Sequence, residues 1–268
     1  MKSTLIAVMV TLAVLGGLWS QAGVTVVDQG WTPSGYVAAS VSSEAISPIT
    51  SQMYYNKPYI YLDGGLNLPA GFMAEVDEYV DLADADADNK GVDEFDAYLW
   101  KTFVLPSDYY LKLRVAYWNC LPVGVMNGND ALAYDVFFGR TIDTKRLFGQ
   151  VFAGAPVAVT AEVRMEYWHD IRNIEGGMIT IMPSVNAECT LSPRLTAYEK
   201  IGLQWDDAMA PYGALLSGQL DFGAKVKVTK KLTWNVIDVL GIAPLTATAD
   251  DDSRGKAIAF TTGVNLDL

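Results

Sequence analysis

The chain has 268 residues, of which 51% are hydrophobic and only 19% are charged, whereas soluble globular proteins average roughly 25% charged residues. The net charge of −12 argues against a nucleic-acid partner, because such a partner requires cations that neutralise phosphates. One histidine and two cysteines are too few for a multi-histidine or cysteine-rich metal site or for a dense disulfide scaffold, and we expect no cofactor.

The N-terminus has the pattern of a secretory signal peptide. Lys2 precedes an apolar run, 5–19, which is followed by the small-residue segment 20–22 (SQA); this order is typical of a signal with a cleavage site. The alternative is a retained helical anchor, but the run is shorter than the roughly 20 apolar residues that span a bilayer. We therefore predict a signal peptide over 1–22 and a mature domain over 23–268, which would enter a membrane as strands and not as helices.

Most of the mature sequence alternates between apolar and polar residues with a period of two, which predicts β-strands. In 109–119, for example, Leu111 and Leu113 share one face while Lys112 and Arg114 share the other. Four segments show the pattern clearly and eight show it more weakly. The twelve predicted strands are 35–44, 57–68, 72–82, 92–104, 109–119, 131–141, 157–168, 177–190, 194–205, 216–228, 232–243 and 256–268.

Four residues break the strand pattern. Glu78, Glu199 and Asp238 fall on the apolar parity, which requires either a bulge that shifts the register or a position near the end of a strand. The sequence does not decide between these two causes. Pro183 lies inside the eighth predicted strand and predicts a bulge or a split strand there, because proline cannot donate a hydrogen bond to a sheet ladder.

The predicted connections alternate between long loops and tight turns. The long loops are 45–56, 83–91, 120–130, 142–156, 169–176, 206–215 and 244–255, and the tight turns are 69–71, 105–108, 191–193 and 229–231. Only 142–156 departs from strict alternation. The pattern predicts an all-β fold, a single antiparallel up-and-down transmembrane β-barrel of about 12 strands with both termini on the periplasmic side. The alternative is a soluble sandwich or barrel, in which nothing requires the long loops to gather at one end.

Part of the sequence resembles a known family of barrels. Within 34–82, an Asn-Lys-Pro segment at 56–58 leads into one strand, and the segment LNLPAGF at 66–72 leads into an acidic strand. Together with 137–143 and 170–177, these stretches make the chain similar to the TorF-like porins of Gram-negative outer membranes. The resemblance implies an outer-membrane β-barrel, and it brings no catalytic residues.

His169 is the only residue that could serve as an imidazole base. Outer-membrane lipid hydrolases use a Ser–His pair, but the pattern places no serine of the neighbouring segments level with His169. The alternative is a polar residue at the outer rim beside interfacial aromatic residues, and we predict that the protein is not an enzyme. Two further aromatics near this rim, Trp118 and Trp168, have the parity of the lumen.

An acidic segment in the third connection superficially resembles a calcium loop. Its aspartates alternate from Asp84 onward, but an EF-hand requires glycine at the sixth position and glutamate at the twelfth, where this chain has Asn89 and Phe95. A looser cation site is a weak candidate, with the ligands Asp84, Asp86, Asp88 and Asp93. The alternative is a solvated acidic loop.

If the apolar parity faces lipid, the opposite parity faces the lumen, where charges of both signs need water or each other. The candidate lumen-lining residues are Glu75, Asp77, Lys112, Arg114, Glu162, Arg164, Glu166, Asp221, Lys225 and Lys227. They predict a narrow porin-like channel for small solutes or ions. The alternative is a barrel closed by its own ion pairs, with a structural or surface-adhesion role. The expected partners are the bilayer and lipopolysaccharide of a Gram-negative outer membrane, the barrel-assembly machinery and small solutes.

The two cysteines, Cys120 and Cys189, provide a test of this topology. An oxidising compartment favours a disulfide between them, but Cys120 follows the fifth strand toward the outer face while Cys189 ends the eighth strand on the periplasmic side. The apolar band of a transmembrane barrel is about 25 Å tall, whereas a disulfide requires Cα atoms within about 7 Å. We therefore predict two free thiols.

Overall fold

The computed structural model describes residues 34–43, 45–47, 52–55, 58–82, 94–119, 130–143, 157–171, 173–206, 215–244 and 257–268. The predicted signal peptide, the aspartates of the third connection and Cys120 lie outside these residues. The strands of the described part are β1 (Ser34–Ser42), β2 (Ala45–Ser47), β3 (Gln52–Tyr55), β4 (Tyr59–Leu68), β5 (Phe72–Asp81), β6 (Glu94–Val104), β7 (Tyr109–Asn119), β8 (Ala131–Asp143), β9 (Val157–Asp170), β10 (Asn173–Ser192), β11 (Leu195–Asp206), β12 (Leu215–Lys227), β13 (Leu232–Pro244) and β14 (Ala257–Asp267).

Twelve of these strands form one closed antiparallel β-barrel. Strands β4 to β14 pair with their neighbours in sequence, and β1 pairs with both β4 and β14, which closes the sheet. At the closure, Val37 of β1 lies opposite Gly64 of β4 and opposite Leu266 of β14. The predicted fold class and strand number are therefore confirmed. The pair β2–β3 forms a separate two-stranded sheet within 45–56, where the sequence predicts only a loop.

Alternation places apolar side chains on the outer face of the barrel and polar side chains on its inner face. Large apolar residues of the outer parity remain exposed, such as Leu113 (39%) and Phe222 (45%). Carboxylates of the inner parity, such as those of Asp135 and Glu166, are buried. This distribution is the reverse of that in a soluble protein and is the one that a transmembrane barrel requires.

The two ends of the barrel differ in how the strands are joined. At one end, called the turn end, short connections lie at 69–71, 105–108, 193–194 and 228–231. The first two contain one-turn helices and pass through left-handed residues, Ala70 (φ 60°) and Ser107 (φ 62°), which lets the chain reverse within a few residues. The opposite end is called the loop end. Among the described residues, no helix is long and apolar enough to cross a membrane.

One predicted loop is wrong. The sequence predicts a long connection over 169–176, but β9 continues to Asp170 and β10 begins at Asn173, so that only two residues separate the strands. The register between β9 and β10 shifts between Asn173 and Met178. This irregularity absorbs the glycine-containing residues that the sequence pattern assigns to a loop.

The three acidic exceptions to alternation do not share one explanation. At Asp238 the structure has a bulge, because one extra residue of β13 precedes Asp238 relative to both β12 and β14; the bulge returns Asp238 to the inner face. At Glu78 and Glu199 the registers are unbroken. Both glutamates remain on the outer parity. Glu78 lies three residues before the end of β5, whereas Glu199 is the fifth of the twelve residues of β11 and therefore has neither a bulge nor a strand-end position.

Pro183 causes neither a bulge nor a split strand. Strand β10 runs through it without a break, and Pro183 pairs with Val163 of β9 in the register of its neighbours. Toward β11, the paired residues stop at Ile181 and resume at Ser184 in the same register. The missing N–H of the proline therefore interrupts one ladder locally without shifting the strand.

Candidate functional site

The inner face of the barrel carries the predicted lumen residues. Cross-strand pairing aligns them in rows, in which Arg114 lies opposite Asp135 and Asp135 lies opposite Glu166. All the candidates have the inner parity: Glu75, Asp77, Lys112, Arg114, Glu162, Arg164, Glu166, Asp221, Lys225 and Lys227. Lys227 is exposed at the turn end, whereas the others are partly or fully buried.

Four inner residues of β7, β8 and β9 form an ion-pair network. Arg114 Nε donates to Asp135 Oδ2 at 2.6 Å, and Arg114 Nη2 donates to Glu166 Oε2 at 3.1 Å. Arg164 Nε donates to Asp135 Oδ1 at 2.6 Å, and Arg164 also pairs with Glu166. Both carboxylate side chains are fully buried. Two positive and two negative charges therefore compensate each other within the network.

Aromatic rings surround the basic side chains of this wall. Lys112 Nζ lies 4.8 Å from the centroid of the Trp100 ring and 5.0 Å from that of Phe137. The guanidinium carbon of Arg114 lies 5.1 Å from the Trp100 centroid, and that of Arg164 lies 5.3 Å from the Phe137 centroid. Cation–π contacts of this kind hold a cation against an aromatic face. The inner wall of β6 to β9 is therefore bulky, aromatic and rich in basic groups.

The neighbouring strands β4, β5 and β6 form an acidic sector. Their inner faces carry the carboxylates of Asp63, Glu75, Asp77, Glu94 and Asp96. The basic residue within these three strands is Lys101, which has the outer parity. Asp63, Asp77 and Asp96 lie side by side, one on each strand.

Two tyrosines orient the most buried carboxylates of the acidic sector. The Tyr61 hydroxyl donates to Asp77 Oδ2 at 2.7 Å, and the Tyr98 hydroxyl donates to Asp96 Oδ2 at 2.9 Å. Asp77 is 4% exposed and Asp96 is 3% exposed, and the Oδ1 atom of each has no hydrogen-bond partner. Within the described ranges, no lysine or arginine forms an ion pair with either carboxylate.

Three inner tyrosines lie against the barrel wall over glycines of the adjacent strand. The cross-strand pairs are Tyr36 with Gly65, Tyr110 with Gly139 and Tyr198 with Gly223. A Cβ atom at any of these glycines would overlap the tyrosine ring. Each glycine therefore provides the space that the ring occupies along the wall.

The hydroxyl groups of the same tyrosines bind carboxylates. The Tyr36 hydroxyl donates to Asp63 Oδ1 at 3.1 Å, the Tyr198 hydroxyl donates to Asp238 Oδ1 at 2.7 Å, and the Tyr110 hydroxyl donates to Glu162. Each ring is thus held both by its packing on a glycine and by a charge-assisted hydrogen bond.

The wall formed by β10 to β14 and β1 carries small or short polar inner side chains together with larger ones such as Tyr198, Lys200 and Ile242. Its inner residues include Ser40, Ser184, Asn186, Gly202, Ser217, Thr261 and Gly263. Gln219 Nε2 donates to Gln204 Oε1 at 2.6 Å on this wall. The rings of Trp100 and Phe137 lie on the wall of β6 to β9, so the two walls differ in their chemistry.

Two cavities lie inside the barrel near the turn end. The first has a volume of about 360 Å³ and is lined in part by Asn67, Glu75, Trp100, Thr102 and Lys112. The second has a volume of about 320 Å³ and is lined in part by Asn186, Glu188, Lys200, Asp221 and Lys225. Lys225 Nζ lies 3.8 Å from Glu188 Oε1, and the two side chains are 40% and 46% exposed. Each cavity therefore has acidic and basic groups on its walls.

His169 does not face the lumen. Its side chain is buried on the outer parity, with ring centroids 6.2 Å from Tyr134 and 5.7 Å from Tyr167. Within the described residues it forms no hydrogen bond to a serine; its Nδ1 lies 2.9 Å from the carbonyl oxygen of the next residue. Trp118 and Trp168 have the inner parity, and their ring centroids are 6.0 Å apart near the loop end.

The weak candidates for cation binding, Asp84, Asp86, Asp88 and Asp93, lie outside the described residues. Across the ranges that the structure does describe, no group of three or more His, Cys, Asp or Glu side chains is placed to hold a metal ion. The loop cation site therefore stays a prediction.

Several charged residues of the inner face are absent from the sequence-based candidates. Among them are Asp63, Glu94, Asp96, Asp135, Glu188 and Lys200. All six lie in the strands whose alternation is weaker. Their parity within those strands was the available signal, since Asp135, for example, alternates with the outward residues Tyr134 and Val136.

Comparison with known proteins gives structural relatives only. No family model matches the sequence, and no curated protein matches it. A bacterial polysaccharide outer membrane secretin superposes with a TM-score of 0.51 at 10% identity, covering 88% of this chain and 97% of the other. KdgM porin gives a TM-score of 0.49 at 8% identity, covering 87% and 98%, and an outer membrane channel from Pseudomonas putida F1 gives 0.49 at 10%, covering 88% and 95%. Identities this low show a shared barrel fold.

Proposed function

We propose that the protein is an outer-membrane β-barrel that forms a narrow, porin-like channel for small hydrophilic solutes or ions. The observation that carries this proposal is the pair of cavities inside the barrel, whose walls bear charges of both signs. Charged groups that line open space in a membrane barrel require water. A water-containing lumen is the physical basis of porin conduction.

The outer face supports a location in a membrane. Apolar side chains such as Val136, Val163, Leu203 and Phe260 are each at least 40% exposed. In water, a band of this kind around a whole barrel would be an aggregation hazard, whereas lipid tails solvate it. Because the lumen is polar and the outside is apolar, insertion in a bilayer satisfies both faces.

The arrangement of the tyrosines favours an open lumen. Tyr36, Tyr110 and Tyr198 lie over glycines and donate to carboxylates on the wall, so their rings do not fill the centre of the barrel. The opposite wall carries small inner residues such as Ser184, Gly202 and Ser217 among larger ones. Twelve strands lie between the small barrels that side chains fill and the 16–18-stranded open porins, so these local features decide the width.

A second candidate function is a closed structural or surface-adhesion barrel. It is favoured by the ion-pair network of Arg114, Asp135, Arg164 and Glu166, which joins three strands across one side of the lumen. Such a network can serve as a plug when it fills the cross-section. Here it lies on one wall, which is why we prefer the channel.

Single-channel recording in planar bilayers tests the proposal. We expect discrete conductance steps from the refolded full mature chain. Asn186→Trp places a large ring in the second cavity and should lower the step size, whereas Ala187→Trp, its neighbour on the outer parity, should leave it unchanged. Correct folding is judged by heat-dependent migration in gels. If the folded barrel gives no conductance steps in the bilayer, the result would instead support the closed barrel.

Our expectations about export, orientation and membrane surroundings belong to the same proposal. The N-terminal segment 1–22 would be removed as a signal peptide on export, and both termini would lie on the periplasmic side of a Gram-negative outer membrane. Lipopolysaccharide would surround the loop end, and the barrel-assembly machinery would insert the chain. Membership of the TorF-like porins stays a prediction.

A further inference from the structure

We infer that the outer face of the barrel binds one phospholipid, with its phosphate at Arg140 and an acyl chain in an apolar groove that crosses β7 to β11. This inference rests on the proposed location in an outer membrane and not on conduction through the lumen. It adds a specific ligand on the lipid-facing surface, which the channel function does not use.

The groove has a volume of about 530 Å³, which is within the range of pockets that bind small-molecule ligands. Its lining includes long apolar side chains of the outer parity, namely Phe138, Val163, Ile201 and Leu203. Each of these four side chains is at least 40% exposed. The groove therefore opens toward lipid and away from the lumen.

Short outward side chains lie among the long ones. Ala161 of β9 is opposite Arg140 and Val185, and Pro183 of β10 is opposite Val163; both Ala161 and Pro183 line the groove. On its other side, Pro183 interrupts the pairing of β10 with β11, because proline has no N–H to donate. The groove therefore lies where outward side chains are short and one sheet ladder is interrupted.

Arg140 supplies a cation at one side of the groove. It lines the groove, and its guanidinium carbon lies 4.9 Å from the centroid of the Tyr109 ring. Among the described residues, no carboxylate forms an ion pair with Arg140. Its Nε atom is buried without a hydrogen-bond partner, which leaves the two Nη groups as donors to an anion. The planar guanidinium matches the paired oxygens of a phosphate.

The height of Arg140 on the barrel suits a lipid headgroup. Arg140 is opposite Tyr109, the first residue of β7, and lies three residues before the end of β8, which places it at the turn end. From there the outer face continues toward the loop end with the exposed side chains of Phe138 and Val136. A phosphate at Arg140 would thus lie at the edge of the apolar band, where aromatic rings are enriched, with the acyl chain directed along the groove.

Charge and polarity favour a phospholipid over other occupants. The groove combines a cation at one side with an apolar lining, and a phospholipid combines a phosphate with apolar chains. An extended peptide would instead bring backbone N–H and C=O groups against apolar side chains, where unsatisfied polar groups are costly. In the proposed orientation the turn end faces the periplasm, and the periplasmic leaflet of an outer membrane consists of phospholipids.

Native mass spectrometry of the refolded full mature chain, titrated with phosphatidylglycerol in detergent, tests the inference. We expect one lipid to bind more tightly than any that follow. Arg140→Gln should weaken this binding about five-fold, the usual contribution of one basic residue near an anionic lipid surface. Ala161→Leu fills the groove with an apolar side chain and should weaken the binding at least as much.

Two matched variants control for charge and for size. Lys101→Gln removes another cation from the outer face, but Lys101 donates to the carbonyl oxygen of Ala70 and lies outside the groove. Ala197→Leu enlarges another outward alanine, on β11, that does not line the groove. Both variants should bind phosphatidylglycerol as the unmodified chain does.

Two further probes separate the phosphate from the acyl chains. Diacylglycerol lacks the phosphate and glycerophosphoglycerol lacks the chains, so each should bind several-fold more weakly than phosphatidylglycerol. Equal binding of either probe would overturn the inference, and so would dimers that Ala161→Leu dissociates, because the groove would then hold a second copy of the chain.

The remaining outcomes distinguish this inference from the channel function. Unchanged lipid binding by Arg140→Gln would overturn the inference; if that variant does not fold, Ala161→Leu and its control decide the question. A folded barrel that conducts but retains no lipid would overturn the inference alone. A barrel that retains the lipid but gives no conductance steps would support the inference and count against the channel.

Discussion

The tyrosines on the inner face solve a packing problem at the scale of single residues. A tyrosine directed straight into a narrow barrel would obstruct it, whereas a ring laid on the neighbouring strand requires that no Cβ stands beneath it. Gly65 supplies that space for Tyr36, and the hydroxyl of Tyr36 then reaches Asp63. One glycine thus determines both the position of a ring and the environment of a carboxylate.

Adjacent glycines in β4 provide a matched test of this packing. Gly65→Ala should lower the free energy of unfolding by about 1–3 kcal/mol, because the added methyl group overpacks against a ring and a side chain that already fill the site. A Cβ at Gly65 would lie 2.5 Å from Met73 Cε and would overlap the Tyr36 ring, whereas a Cβ at Gly64 meets only Tyr36 O at 3.7 Å. Gly64→Ala should therefore have a much smaller effect. Urea titration in lipid vesicles measures both, and equal losses would contradict the packing argument.

The charged pairs of the lumen differ greatly in burial and should differ in energy. Asp135→Asn leaves two arginines with one carboxylate in a buried site and should destabilise the barrel by about 3–5 kcal/mol. Glu188→Gln breaks a pair with Lys225 whose side chains are 46% and 40% exposed, and we expect a loss below about 1 kcal/mol. The same unfolding measurement compares them. A reversed order would show that the ion-pair network contributes little to stability.

Sequence alone identifies many of these residues but not their partners. Period-two alternation assigns Arg114, Arg164 and Glu166 to one face, because parity is a local property of a strand. It does not predict that Arg114 and Arg164 share Asp135, since that contact depends on the register between three strands. The tyrosine–glycine pairs are missed for the same reason, although glycine on an inner parity is a usable signal.

At the scale of strands, the bulge in β13 shows how register corrects an apparent error in the pattern. Read by strict alternation, Asp238 would face lipid. One extra residue before it rotates the strand, and the Asp238 carboxylate then accepts a hydrogen bond from Tyr198. No bulge shifts the register at Glu78 or Glu199, and both remain on the outer face in otherwise regular strands.

The assignment of inner and outer faces predicts which strand positions tolerate a cation. Leu113→Arg and Val163→Arg place a charge on exposed apolar positions of the outer face (39% and 40%), and each should cost roughly 2–4 kcal/mol near the midplane of the bilayer. Lys112→Arg keeps a cation over Trp100 and Phe137 and should be tolerated. Folding yields into phosphatidylcholine vesicles measure all three variants. Equal yields would invert or remove the assignment of the two faces.

Strand ends were less predictable than strand centres. Most predicted bounds lie within two residues of the structure, but β10 begins at Asn173 and not at 177. Glycines at 176 and 177 resemble a loop in sequence, and they lie in the irregular stretch between the pairs Asn173–Asp170 and Met178–Trp168. The small sheet β2–β3 is missed because strands of three and four residues are too short to show alternation.

At the scale of the whole molecule, the order of the strands places Cys189 and Asn119, the residue before Cys120, at opposite ends of the barrel. Cys189 pairs with Val157, the first residue of β9, at the turn end, and it forms no disulfide. Cys120 directly follows Asn119, the last residue of β7, which lies at the loop end. A strand of 11 residues rises about 3.4 Å per residue, so even a tilted strand separates the two ends by far more than the 7 Å limit of a disulfide.

This separation predicts that the cysteines can report the orientation of the barrel in cells. With the turn end in the periplasm, a membrane-impermeant maleimide added to intact cells should label Cys120 and leave Cys189 unmodified, because Cys189 is half-buried on the outer face at the opposite end. Cys120→Ser should abolish the labelling and Cys189→Ser should preserve it. Labelling of Cys189 alone would reverse the proposed orientation while leaving the barrel intact. A Cys120–Cys189 disulfide found by non-reducing peptide mapping would contradict the strand order itself, because no closed barrel with this pairing brings the two positions together.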